Sequence, residues 1–321
     1  MPKKKPKIVC IGGGTGTYQV LLGLRQYPVD LTAVVTMSDS GGSSGRLRKE
    51  MGILPPGDVR RALIALSGFR LRKNTLTQLF EFRFNNGELA GHSLGNLLLA
   101  ALTQITGRED LAISEAAKIL EISGQVLPVT TSKTELCALL VDGTIIRGEK
   151  NIDFREIKPD VPIKEVYLSP KGKIFIGAKK AILEADLIIL GPGDLYTSII
   201  PNLLVSGVNR AIARSKAKVI YICNLMTKYG ETDGFAISGF VREIKKYLGQ
   251  SANKLSVVIV NTKIKLPTSV ASWYKKYRAE PVKFDKKNIE GVKIITGSFA
   301  TSGKFIRHDP QKIARAIMKL L

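Results

Sequence analysis

The chain has 321 residues, 44% hydrophobic and 24% charged, which excludes a disordered or fibrous protein and leaves room for a sizeable core. Lys and Arg number 49 against 27 Asp and Glu, and the formal net charge of +22 favours anionic partners such as phosphorylated small molecules. No apolar run is long enough to span a membrane, and no secretory leader is recognisable, so a cytoplasmic protein without membrane insertion is expected.

In chain order, residues 1–6 read as a basic tail and 7–321 as a single domain. A strand over Lys7–Ile11 runs into Gly12-Gly13-Gly14-Thr15-Gly16-Thr17, and a helical pattern follows. Strand, glycine turn and helix are the context in which backbone N–H groups and a helix N-terminus converge on a phosphate; a tight turn without a ligand is the plain alternative. The spacing departs from a dinucleotide fingerprint, because position 17 is Thr where Gly or Ala closes the motif. Further strands are predicted over Leu31–Thr36, Ala185–Leu190, Lys218–Cys223, Ser256–Val260 and Val292–Ile295, mostly rich in Ile and Val. Helices are predicted over Asp58–Gly68, Gly95–Thr106, Leu111–Leu120 and Pro310–Leu321, the last with Asp309 as N-cap. The alternation implies an α/β protein with a doubly wound, mostly parallel sheet. Residues of about 125–177 break that rhythm. Leu136–Val141 and Thr144–Arg147 flank Asp142-Gly143, a hairpin turn, and Val166–Leu168 and Lys173–Ile176 flank Ser169–Gly172, so an antiparallel insertion is expected there.

Ligands of open α/β sheets bind beyond the carboxyl ends of the strands. There the loop after the second strand offers Asp39 for ribose hydroxyls, Gly41, Gly42, Ser43 and Ser44 as donors, and Arg46 and Arg48 for phosphate; a flexible surface loop is the bland reading. Gly193 and Asp194, with Thr197 and Ser198, form a second glycine turn at a helix start, either an anion site or a simple cap. His92 and Asn96 open an apolar helix and join this second anion or substrate site. Asp58 reads more simply as an N-cap than as a catalytic carboxylate. Asn224 and Asn261 at strand ends suit reading a base or sugar, or capping the strand. Only one other histidine exists, His308, and Cys10, Cys137 and Cys223 lie in apolar runs without ligand spacing, so no metal-ligating set is assigned. A Ser-His-Asp triad cannot be assembled from spacing, and no nucleic-acid recognition signature accompanies the positive charge.

Several of these loops, with Leu54–Arg60, Gly91–Asn96, Gly191–Asn202, Glu231–Gly234 and Arg307–Asp309, resemble the gluconeogenesis factor (YvcK) family in order along the chain. That family is similar to 2-phospho-L-lactate transferase (CofD), which builds a deazaflavin cofactor. The resemblance implies a Rossmann-like homodimer that binds a UDP-sugar such as UDP-N-acetylglucosamine and supports cell-wall growth on gluconeogenic carbon sources. It also implies nucleotide contacts at Tyr277 and Arg307. Where the family commonly has two consecutive aspartates, this chain reads Asp39-Ser40, which weakens a Mg²⁺-assisted transferase reading against a non-catalytic binding protein.

Overall fold

The computed structural model describes residues 4–68, 75–262, 264, 266, 268–285, 289–301 and 305–321. The first residues of the expected tail lie outside them. In chain order the strands are β1 (Lys7–Gly12), β2 (Asp30–Val35), β3 (Gln125–Pro128), β4 (Glu135–Leu140), β5 (Ile145–Arg147), β6 (Ile163–Ser169), β7 (Leu187–Leu190), β8 (Lys218–Ile222), β9 (Leu255–Asn261), β10 (Lys293–Gly297), β11 (Ala300–Thr301) and β12 (Arg307–His308). Seven of them form one parallel sheet in the order β10-β9-β8-β7-β1-β2-β3, a Rossmann-like arrangement.

Alternation along β1 explains why the sheet is covered on both sides. Val9 and Ile11 point into one apolar cluster, with Ile188, Leu190, Val219 and Tyr221. Ile8 and Cys10 point into the other, with Leu187, Ile189, Ile220 and Ile222. Helix Gly14–Leu24 and the last helix, Pro310–Met318, close the second face through Val20, Leu21, Leu24, Ile313 and Ile317. Asp309 caps the last helix, accepting from the N–H groups of Gln311 and Lys312, both at 3.0 Å. Cys10, Cys137 and Cys223 are buried and free.

The hairpin expected at Asp142-Gly143 forms, and β4 pairs antiparallel with both β5 and β6. Leu136, Ala138, Val166 and Leu168 from this small sheet join the first apolar cluster of the main one. Two expectations for the insertion are corrected. Gln125–Pro128 is the edge strand of the parallel sheet, paired with β2, where a proline costs no ladder bond. Lys173–Ile176 is not a strand: Lys173 makes one isolated bridge to Ser206, and Ile176 opens a helix to Glu184 whose Ala178 and Ile182 pack inward.

Candidate functional site at the sheet crossing

From β1 the chain winds outward through β2 to β3, and from β7 it winds the other way through β8 and β9 to β10. The crevice between β1 and β7 is therefore the point where strand order reverses, the place where such sheets bind ligands. Both glycine turns sit there and interlock. Thr17 Oγ1 donates to the Pro192 carbonyl at 3.3 Å, and a Cβ on Gly16 would strike that carbonyl oxygen. Gly14, at φ +66°, needs glycine to turn the strand into its helix. Asn224 donates from Nδ2 to the Gly193 carbonyl at 2.8 Å while Tyr221 OH donates to its Oδ1 at 3.0 Å, so this amide braces the second turn.

Asp58 corrects an expectation. Pro56 occupies the N-cap position of helix Gly57–Leu66, and the Asp58 carboxylate instead accepts the N–H of Gly14 at 2.9 Å, capping the helix of the first glycine turn. Burial, then the nearby Asp39 carboxylate, pushes Asp58 up to about 6. The same two causes push Glu149, which accepts from the Ser40 N–H at 3.1 Å, up to about 8.

Two recesses meet at Gly14, Thr15, Asp194 and Ser198. The first, about 390 Å³, adds Gly16, Gly193, Asn224, Arg307 and the rings of Trp273, Tyr274 and Phe305. The Arg307 guanidinium lies 5.9 Å from the Phe305 ring centroid. The second, about 360 Å³, is charged: Asp39, Asp58, Glu149 and Asp153 face Arg60, Arg61, Arg83 and Lys150. Gly41, Gly42, Ser43, Ser44, Asn96 and Thr197 also line it.

The two expected sites are thus one cleft, with its members regrouped. His92 and Asn96 belong with the serine loop, since Ser43 Oγ lies 3.1 Å from His92 Nδ1 and accepts from Asn96 Nδ2 at 3.1 Å. Gly12, Gly13 and Thr17 shape the first turn from behind without lining either recess. Arg46 also stands outside, donating to the Ala90 carbonyl at 2.6 Å, and Arg48 donates to the Thr134 carbonyl at 2.5 Å. Tyr277 lies behind Trp273, ring centroids 4.4 Å apart, and does not face the glycine turn. Asn261 accepts from the N–H groups of Phe299 and Ala300, fixing the chain after β10.

Sequence reasoning passed over a knot beside the cleft. Asp153, Asp194 and Glu231 each offer a carboxylate oxygen within 4.8 Å of the others, a donor set that could hold a cation. Lys228 Nζ already lies among them, 2.9 Å from Asp194 and 3.1 Å from Glu231 and paired with Asp153. Burial works against charge on Lys228, but the three carboxylates outweigh it and hold the ammonium firmly protonated. Asp194 therefore spends its carboxylate on Lys228 and makes no side-chain cap. The signal for this knot was local in part, since Lys228 and Glu231 are one helical turn apart in spacing.

A parallel sheet that reverses order between two glycine turns, with an aromatic recess and a charged recess at the crossing, defines a Rossmann-like protein with a cleft at its switch point. The chain belongs to the 2-phospho-L-lactate transferase CofD family, which it matches over residues 8–300, and within it to the gluconeogenesis factors. It is 44% identical to a gluconeogenesis factor of Halalkalibacterium halodurans, across 98% of this chain and 97% of that protein. The gluconeogenesis factor of Bacillus subtilis is 41% identical across 99% of both chains. The crystal structure of a UPF0052 family member from Bacillus halodurans superposes with a TM-score of 0.91 at 44% identity, covering 98% of this chain and 99% of that one. No helix among the described residues is long and apolar enough to cross a membrane.

Proposed function

We propose that the chain is a nucleotide-sugar-binding regulatory protein of the gluconeogenesis factor type. Its ligand is a UDP-sugar such as UDP-N-acetylglucosamine, and it works as a cytoplasmic homodimer in support of cell shape and cell-wall growth on gluconeogenic carbon sources. The observation that carries this reading is the first recess: Trp273, Phe305 and Arg307 stand opposite Gly14–Gly16, a stacking face and a cation across from backbone donors. A base stacks on aromatic rings, a diphosphate is met by N–H groups and a guanidinium, and the sugar points toward the polar second recess.

A second reading, a transferase moving a phospho-organic acid group from a nucleotide diphosphate conjugate, is favoured by the second recess. Asp39, Asp58 and Glu149 gather there opposite Arg61 and Arg83. Burial and the neighbouring Asp39 carboxylate raise Asp58 and Glu149, so these carboxylates would gain from a cation that accompanies the substrate phosphate. Bound Mg²⁺ would neutralise phosphate charge there.

Isothermal calorimetry with UDP-N-acetylglucosamine, UDP, GDP and NAD decides the ligand. Preferential binding of the UDP compounds supports the first reading. Preference for GDP, or turnover of a guanosine diphosphate conjugate with an alcohol acceptor, moves the chain to the second.

A further inference from the structure

The second recess holds a directed chain of hydrogen bonds that binding a nucleotide does not require. Arg60 Nε donates to Oδ1 of Asn96 at 2.9 Å, and a guanidinium can only donate, so the Asn96 amide nitrogen must face the serines. That nitrogen donates to Ser43 Oγ at 3.1 Å. In the tautomer with the ring proton on Nε2, the Ser43 hydroxyl directs its proton to Nδ1 of His92, 3.1 Å away. That tautomer is neutral, and its Nδ1 is the acceptor toward Ser43. Burial, then the Arg46 guanidinium, keeps the ring below its ordinary pKa; Arg83 acts the same way and Glu50 opposes them. Ser43 lines the recess from the first turn of helix Gly42–Met51, where backbone N–H groups lack intrahelical acceptors. Spacing along the chain could not assemble this pair; folding does.

We propose that Ser43 is a nucleophile toward phosphorus, with His92 as its base and Asn96, held by Arg60, as the positioning residue. Ser43 Oγ attacks a phosphodiester or phosphoanhydride seated between the recess arginines, and the hydroxyl proton passes to His92 Nδ1. The Oγ–P bond forms as the P–O bond to the leaving group breaks, the electron pair departs on the leaving oxygen, and His92 delivers the proton to it. Water then attacks the phosphorus and gives a proton to His92; the P–Oγ bond breaks with its electron pair on Oγ, His92 returns the proton to Oγ, and the serine hydroxyl and the phosphate product are released. The substrate class rests on the phosphate-binding reading of the cleft. Calorimetry with a UDP-sugar tests that reading separately, so the two can fail independently.

The test uses the full chain and bis(4-nitrophenyl) phosphate, with 4-nitrophenolate release followed by absorbance and the adduct located by peptide mass spectrometry. The expected result is a burst of about one equivalent with the adduct on Ser43. The burst is lost in Ser43→Ala and slowed at least tenfold in His92→Gln, with circular dichroism confirming that both variants fold. Because either variant could disturb the helix start, Ser43→Cys provides a second readout. Its thiol should react with iodoacetamide several-fold faster than in the Ser43→Cys/His92→Gln double variant. Release no greater than in Ser43→Ala, an adduct on another residue, or equal alkylation rates with and without His92 would each overturn the proposal.

Discussion

The two recesses share one glycine turn yet are built on opposite plans. The first faces Gly14 and Thr15 with the rings of Trp273, Tyr274 and Phe305 and with the Arg307 guanidinium. The second faces the same residues with four carboxylates besides the shared Asp194, and with four cations. The difference lies in how each treats the helix start. On the second side the Gly14 N–H is already taken by the buried Asp58 carboxylate, so a phosphate there is met by the recess arginines and not by that N–H. On the first side the turn meets aromatic surface and positive charge, the setting in which the proposed diphosphate would lie with its base stacked. One side is suited to recognition, the other to handling charge and protons.

The largest effect should come where the recesses are joined. Gly16→Val places a side chain against the Pro192 carbonyl, backbone against which nothing can rotate away. Overpacking of this kind costs about 1–3 kcal/mol or more, and here it pushes the two glycine turns apart. The melting temperature should fall and nucleotide binding should vanish together in calorimetry. A variant as stable as the parent that still binds would show that the interlocked turns do not define the cleft.

Next come the two residues that set the first recess apart. Trp273→Ala should weaken UDP-sugar binding about tenfold or more, because stacking on a base is worth about 1–3 kcal/mol. Arg307→Ala should cost a comparable amount and flatten the salt dependence of binding, since the lost partner is a cation at a phosphate. Neither should alter the response of stability to pH. If either does, the recesses are coupled more tightly than their linings suggest.

The division between them was only partly legible in the sequence. Both glycine turns could be placed because their signal is local: a run of Ile and Val, glycines at the strand end, then an apolar helical period. The strands built from such runs formed within a few residues of expectation. What stayed hidden depends on distant partners. Asp58 reads locally as a cap, but its partner is Gly14, on a different helix. Ser43 and His92 become neighbours only when helix Leu94–Thr106 packs beside the serine loop. Tyr277, beside Lys275, Lys276 and Arg278, reads in sequence as the ring for an anionic ligand; packing against Phe305 puts Trp273, four residues earlier, at the recess instead.

The second recess should reveal itself through pH. Glu149 has its folded pKa raised to about 8 from an ordinary value near 4.5, so the folded state holds its proton more tightly than the unfolded chain. Stability from this group is therefore fully present below about 4.5 and is lost as the pH rises toward 8. Asp58, raised to about 6, acts in the same direction over a lower range. Thermal unfolding should show stability declining between pH 5 and 8, by on the order of 3 kcal/mol from Glu149. Glu149→Gln should flatten the upper part of that decline while leaving UDP-sugar affinity close to that of the parent. An unchanged pH profile in that variant would place the proton elsewhere.

The smallest effect is expected at Tyr277, and it separates the two ways of reading the first recess. Tyr277 is half-exposed and rests behind Trp273 at a tilt of 38°, with its N–H donated to the Trp273 carbonyl at 3.1 Å. A ring so placed stiffens the tryptophan without offering a face to the cleft. Aromatic pairs contribute about 0.5–1.5 kcal/mol beyond burial, and at an exposed site the lower end applies. Tyr277→Ala should then weaken UDP-sugar binding by about threefold, clearly less than Trp273→Ala, and Tyr277→Phe should leave it unchanged because the hydroxyl has no part in the stack. If calorimetry ranks Tyr277→Ala level with or above Trp273→Ala, the base lies on the tyrosine, outside the recess, and the contrast between an aromatic and a charged side of the cleft loses its first half.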